Sequence, residues 1–178
     1  MPPYARLLTL FLPLGALACT PQTPAAQQPA PPAIPAPAAP AAASTQGAGS
    51  LTDPASGAQC GGQNVRITRD DFQLVLEGDC GEIVIAGSNG SLNVDKARAI
   101  RVQGSHVTIL NMKVDALAVT GSSNTLNMTE VAEAVVEGDD NGLLGQHYGK
   151  VVFRGQRNYV NTNNQPQVED SGTGNKVI

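Results

Sequence analysis

The chain has no tryptophan and only three tyrosines and three phenylalanines among 178 residues. That supply argues against a carbohydrate site built on stacked aromatic platforms, and leaves polar glycan contacts open. It has two histidines, His106 and His147, a thin basis for metal or acid–base chemistry. Zinc or copper at a catalytic centre normally takes three good nitrogen or carboxylate ligands. Basic residues are also few: without Arg6, the 11 lysines and arginines leave 10, against 15 acidic residues that all follow residue 50. No basic stripe is available to hold a phosphate backbone, so nucleic acid is excluded as a partner. No apolar run reaches the ~20 residues of a membrane-spanning helix. No Ser-His-Asp, Cys-His or paired-carboxylate constellation stands out, and no glycine-rich nucleotide loop opens a helix. An enzyme is not expected; if there is one, it is a metal-dependent oxidoreductase such as a copper superoxide dismutase.

What the chain does have is a repeat. Gly87, Gly104, Gly121, Gly138, Gly155 and Gly172 fall at one interval of 17 residues. Four positions before each stand Ile83, Ile100, Leu117, Ala134, Val151 and Val168. Five positions after stand Leu92, Ile109, Leu126, Leu143, Val160 and Val177. Ile85, Val102, Val119, Val136 and Phe153 lie between, and only Asp170 breaks that column. Each unit thus alternates like a strand and ends at a turn glycine. A unit this short cannot bury its own core, so the expectation is an all-β, single-stranded β-solenoid with stacked coils of about 17 residues. A coil of that length has a perimeter of roughly 55 Å, filled by one layer of inward side chains, with no internal ligand cavity. Asn124, Asn141, Asn158 and Asn175, three past their glycines, are expected in left-handed turns or bonded to neighbouring backbone, forming an Asn ladder along one corner.

Charges test the register. Arg98 with Asp115, Lys113 with Glu130, Glu133 with Lys150, Glu137 with Arg154 and Asp140 with Arg157 are opposite pairs at 17 residues; Lys96 with Lys113 is a like pair. Val65, Ile67, Leu74 and Leu76 continue the repeat one coil back at a step of 18, so the first coil carries one extra residue. Six coils and a partial seventh are expected. A disulfide between Cys60 and Cys80 would close the first coil. At the other end Val177 and Ile178 suggest an open strand edge, tempered by Glu169, Asp170 and Lys176, that could pair with a partner or a second copy.

Residues 1–18 read as a signal peptide, with Arg6 and an apolar run from Leu7 to Leu17. Ala16-Leu17-Ala18-Cys19 resembles a bacterial lipobox, which implies lipidation of Cys19; Thr20 after it favours an outer-membrane destination. Residues 19–50, rich in Pro and Ala and without charge, read as a disordered tether of up to about 90 Å. Residues 51–178 are the solenoid domain.

From about Cys60 to Val177, the Val-x-Val strands, the Gly121-Ser122-Ser123-Asn124 turn, the paired Cys60 and Cys80 and the closing Gly172-Thr173-Gly174-Asn175 resemble the bacterial "domain of unknown function 3060" family. The resemblance implies an exported protein or lipoprotein with a β-repeat domain, and brings no catalytic residues with it.

Two candidate sites follow from the residues. His147 lies 17 after Glu130, and with Tyr148, and His106 elsewhere in the repeat, it is the candidate for copper or zinc; the plain reading is a surface column of alternating charge. Glu137-Gly138-Asp139-Asp140-Asn141-Gly142 is oxygen-rich and calcium-like, but Glu137 and Asp140 face Arg154 and Arg157, which favours ion pairing. The coil with Gly145 in place of Met128 or Thr162 is the least regular, so Asp139, Asp140 and Tyr148 are the first places to look. No cofactor is predicted; copper, zinc and calcium are the alternatives. The leading expectation is a lipid-anchored envelope protein displaying a rigid solenoid for protein contacts in an outer-membrane or surface-layer assembly. The alternatives are a metal-binding antioxidant protein and a glycan-binding envelope module.

Overall fold

The computed structural model describes residues 49–178. The expected signal segment, Cys19 and nearly all of the tether lie outside the described residues. Strands run β1 (Ser50–Thr52), β2 (Ala58–Gln59), β3 (Asn64–Ile67), β4 (Gln73–Ile85), β5 (Ser91–Val102), β6 (Thr108–Val119), β7 (Thr125–Val136), β8 (Gly142–Phe153), β9 (Tyr159–Thr162), β10 (Gln167–Asp170) and β11 (Lys176–Val177). All pair in parallel, each with the equivalent segment one coil away. This is a β-solenoid, and its register from β5 to β8 keeps the step of 17 residues, as in Ile100 to Leu117 to Ala134 to Val151.

Along β5, the inward residues are Leu92, Val94, Ala97, Ile100 and Val102, with consecutive exposed residues at Asp95 and Lys96. Strict alternation would send Lys96 inward; the chain bends there instead, so one long strand supplies two walls of the coil. The glycine-to-asparagine segment turns the next corner. Stacking then buries each column against itself: Ile83, Ile100, Ala134 and Val151 are all fully buried. Each such aliphatic side chain contributes about 1.5–3 kcal/mol.

The stack is longer than the repeat reveals, with about eight turns where the spacing suggested six and a part. β1 pairs with β3 and β2 with β4, at steps of 14 (Ser50 to Asn64) and 18 (Ala58 to Leu76) that a search at 17 misses. The extra residue of the first coil is a bulge between Leu76 and Asp79, with Gly78 at φ 78°. Cys60 and Cys80 form a disulfide across a Cα–Cα distance of 4.9 Å, closing the first coil.

The repeated glycine answers to a different constraint from the expected turn. Gly104, Gly121, Gly138 and Gly155 do not have positive φ; a Cβ at each would collide with the carbonyl oxygen of the glycine one coil back. Close backbone approach between coils selects glycine here. The left-handed conformation falls two residues later, on Asn89, His106, Ser123, Asp140 and Arg157, with φ of 54–59°. Asparagine three past the glycine is therefore free to make the ladder, which it does.

The least regular coil keeps a filled core. Gly145 stands in the column of Met128, and the ring of Tyr148 covers the space beside it: a Cβ on Gly145 would come within 2.9 Å of Tyr148 Cε2. In the coil before, Met128 and Val131 share the same volume, all of them fully buried with Tyr148. The exchange of a large side chain between two adjacent columns conserves packing density.

Candidate functional site

The residues singled out from the sequence fall in three places. Glu130 and His147 are register partners on β7 and β8. Glu130 also ion-pairs with Lys113 at 3.5 Å, so its row runs Asp79, Lys96, Lys113, Glu130, His147 along one wall, with Asp79 to Lys96 at 3.9 Å. Lys96 and Lys113 are the like-charged neighbours anticipated, each with an acid on its far side. Tyr148 follows His147 on the strand and faces the opposite way, into the core. Its phenol donates to the carbonyl of Leu144 at 3.2 Å, and burial pushes its ionisation far above the ordinary range. Asn164, one coil on from His147, closes the wall by accepting from Tyr148 N–H at 3.0 Å and donating to Tyr148 C=O at 2.8 Å. His106 sits at the glycine corner, in another row. The fold thus brings Glu130 and His147 together, and leaves Tyr148 and His106 apart from them. Among the described residues, no group of three or more His, Cys, Asp or Glu side chains could hold a metal ion.

The acidic stretch at the start of β8 is occupied by protein partners. Arg157 makes a two-pronged contact with Asp140, Nε to Oδ1 and Nη2 to Oδ2, both at 2.7 Å. This guanidinium holds the Asp140 carboxyl below the usual carboxylate range. Arg154 contacts Glu137 at 2.6 Å. Asp139 accepts the backbone N–H of Gln156 at 2.7 Å, while its own N–H donates to Ser122 Oγ at 3.1 Å.

That last contact belongs to a second ladder that the sequence reading missed. Ser105 N–H donates to Ser88 Oγ, and Ser122 N–H to Ser105 Oγ, each at 3.1 Å. Ser88 N–H donates to Asp70 Oδ1 at 2.7 Å. The signal was present: an oxygen-bearing side chain directly after the glycine, coil after coil. The serine column points its acceptors one way along the stack and the asparagine column the other.

The C-terminal rung is the third place. β10 and β11 pair on one side only, with β8 and β9. Val168, Val177 and Ile178 are 42%, 43% and 66% exposed, whereas Val151 and Val160, one coil below Val168 and Val177, are fully buried. Asp170 blunts the rung: its Oδ1 accepts from Gly172 N–H and from the Asn175 amide, both at 2.9 Å. Glu169 is held by Lys150 at 3.0 Å, which also contacts Glu133 at 3.7 Å; these carboxylates hold the ammonium above its ordinary range.

Comparison of the chain with protein-family models, with curated proteins and with solved structures found no match.

Proposed function

We propose that this chain is a lipid-anchored envelope protein that displays its β-solenoid for protein contacts, as a structural or accessory subunit of an outer-membrane or surface-layer assembly. The observation that carries the reading is the final rung. There, columns that are dry one coil below meet solvent at Val168 and Val177. An unpaired parallel edge with apolar side chains above and below it is a template for an added strand. The lipobox-like Ala16-Leu17-Ala18-Cys19 and the charge-free Pro/Ala segment behind it support anchoring at a membrane and spacing from it. The resemblance of the repeats to the domain of unknown function 3060 family supports export.

The test is the native size of the full chain in a mild-detergent extract of the envelope. The chain is expected in an assembly well above its own 18.3 kDa, and Val168→Asp with Val177→Asp is expected to release it. Migration of the wild type at its own mass in every detergent would remove the reading. Mass spectrometry of the N-terminus tests Cys19. Metal analysis tests the metal-binding alternative: stoichiometric copper or zinc lost on His147→Ala or His106→Ala would replace the first reading with it.

A further inference from the structure

One wall of the solenoid differs from the other two. The ion pairs of Lys96, Arg101, Lys113, Lys150, Arg154 and Arg157 all lie on other walls and corners. The wall formed by the first segments of β4 to β9 carries no charge at its outward positions from Gln73 to Asn161; Glu77 and Asp95 stand only at its border. It bears two outward columns. One runs through Ser91, Thr108 and Thr125. The other alternates coil by coil between apolar and amide: Val75, Asn93, Leu110, Asn127, Leu144, Asn161. Val75, Leu110 and the bordering Met112 are 41%, 47% and 58% exposed.

Two further features point to a ligand. Asn124, Asn141 and Asn158 spend their amides on the buried ladder; the amides of Asn93, Asn127 and Asn161 make no hydrogen bond among the described residues and face solvent. Tyr159 lies back across Gly142, the one glycine in the hydroxyl column, so that its ring covers the wall and leaves its outer side open. A Cβ on Gly142 would occupy the place of that ring. Shallow hollows follow one another along this wall, between Asn93 and Asn127 and then between Asn127 and Asn161.

We infer that this wall binds an uncharged β-1,4-linked glycan chain laid along the solenoid axis. Asn93, Asn127 and Asn161 recur every second coil, about 9.6 Å, close to the disaccharide step of a β-1,4-linked chain with a two-fold screw. Such a chain turns hydroxyl or acetamido edges and C–H faces to one side in alternation. The amides take the first, and Leu110, Leu144 and the Tyr159 ring take the second. A wall without charge fits a neutral polymer and gives no purchase to a polyanion. The site is separate from the C-terminal edge, so its outcome does not depend on the assembly reading.

The experiment is titration of the full chain with cellohexaose and N-acetylchitohexaose, the two sources of this linkage, with maltohexaose as the α-linked control, followed by amide chemical shifts. Shifts are expected at Asn93, Asn127, Asn161 and Tyr159, with affinity rising from trimer to hexamer and unaffected by salt, since no charge is engaged. Asn127→Asp, an exposed change in mid-wall, and Tyr159→Ala are each expected to weaken binding about fivefold or more, a bond's worth of free energy. Glu133→Gln on another wall is expected to bind like wild type, and thermal melts report whether each variant is folded. Failure of both β-linked hexamers to shift these residues would overturn the inference, as would equal binding of maltohexaose or a folded N127D that binds undiminished. A face-to-face dimer of the chain that N127D dissolves would assign the wall to a second copy instead.

Discussion

Asn141 Oδ1 accepts two hydrogen bonds from Asn124, one from its backbone N–H at 3.0 Å and one from its side-chain amide at 3.0 Å. Asn141 in turn donates to Asn158 Oδ1, from N–H at 2.9 Å and from Nδ2 at 3.1 Å. The same Nδ2 donates to the carbonyl of Gly121, one coil back, at 3.0 Å. Each buried amide therefore satisfies the corner of the coil before it and is satisfied by the coil after it, which a buried polar group requires.

Asn141→Ala is expected to lower unfolding free energy by roughly 3 kcal/mol, because it leaves the buried N–H of Asn124 and the carbonyl of Gly121 without their partners and opens a small void. Asn175→Ala, on the half-exposed last rung, is expected to cost about 1 kcal/mol. Denaturant melts of the two variants check the difference; equal losses would mean that the ladder is worth no more inside the stack than at its end.

Gly121→Ala is expected to reach the upper end of single-substitution effects, ~4–5 kcal/mol, or to prevent folding, since its methyl would contest the space of the Gly104 carbonyl. Gly62→Ala, where φ is 78° but nothing lies within 4 Å, is expected to cost about 1 kcal/mol of backbone strain alone. Soluble yield and thermal melts separate a steric requirement from a conformational one.

Reduction of the Cys60–Cys80 disulfide, which spans 20 residues, is expected to lower stability by about 3 kcal/mol through the freed loop. Solenoid coils are held by their neighbours, so the loss should begin at the first coil. Hydrogen exchange is expected to rise at Val65 and Ile67 while β6 and β7 stay protected; a uniform rise along the stack would contradict this.

Asp140 and Asp53 are both held below the ordinary aspartate range, Asp140 by the hydrogen bonds of Arg157 and Asp53 by those of Thr68. A depressed folded value stabilises the fold above the unfolded value of about 3.9 and loses that contribution as pH falls through the folded one. Carboxyl chemical shifts are expected to show both groups ionised down to pH values where an ordinary aspartate is half protonated. In Arg157→Gln, Asp140 is expected to return toward the ordinary range while Asp53 stays depressed.

Much of the fold was legible in the order of residues, because a parallel stack makes covalent spacing and spatial neighbourhood the same thing. The step of 17 fixes that Lys113 meets Glu130 and Asp140 meets Arg157, and both pairs form. The extra residue of the first coil was countable before its bulge at Gly78 was seen. The serine ladder was equally periodic and was missed because attention went to the asparagines. The turns at β1 and β2 escaped because steps of 14 and 18 carry no repeat signal.

Composition and spacing alone decided that this chain stacks coils, which residues line the columns, and which charges meet, since each follows from counting along a regular ladder. The reason for the glycines, the place of the left-handed residue, the filling of the gap at Gly145 by Tyr148 and the resting of Tyr159 on Gly142 were decided only in three dimensions. They depend on how closely two backbones approach and which way a side chain leans, quantities that spacing does not contain.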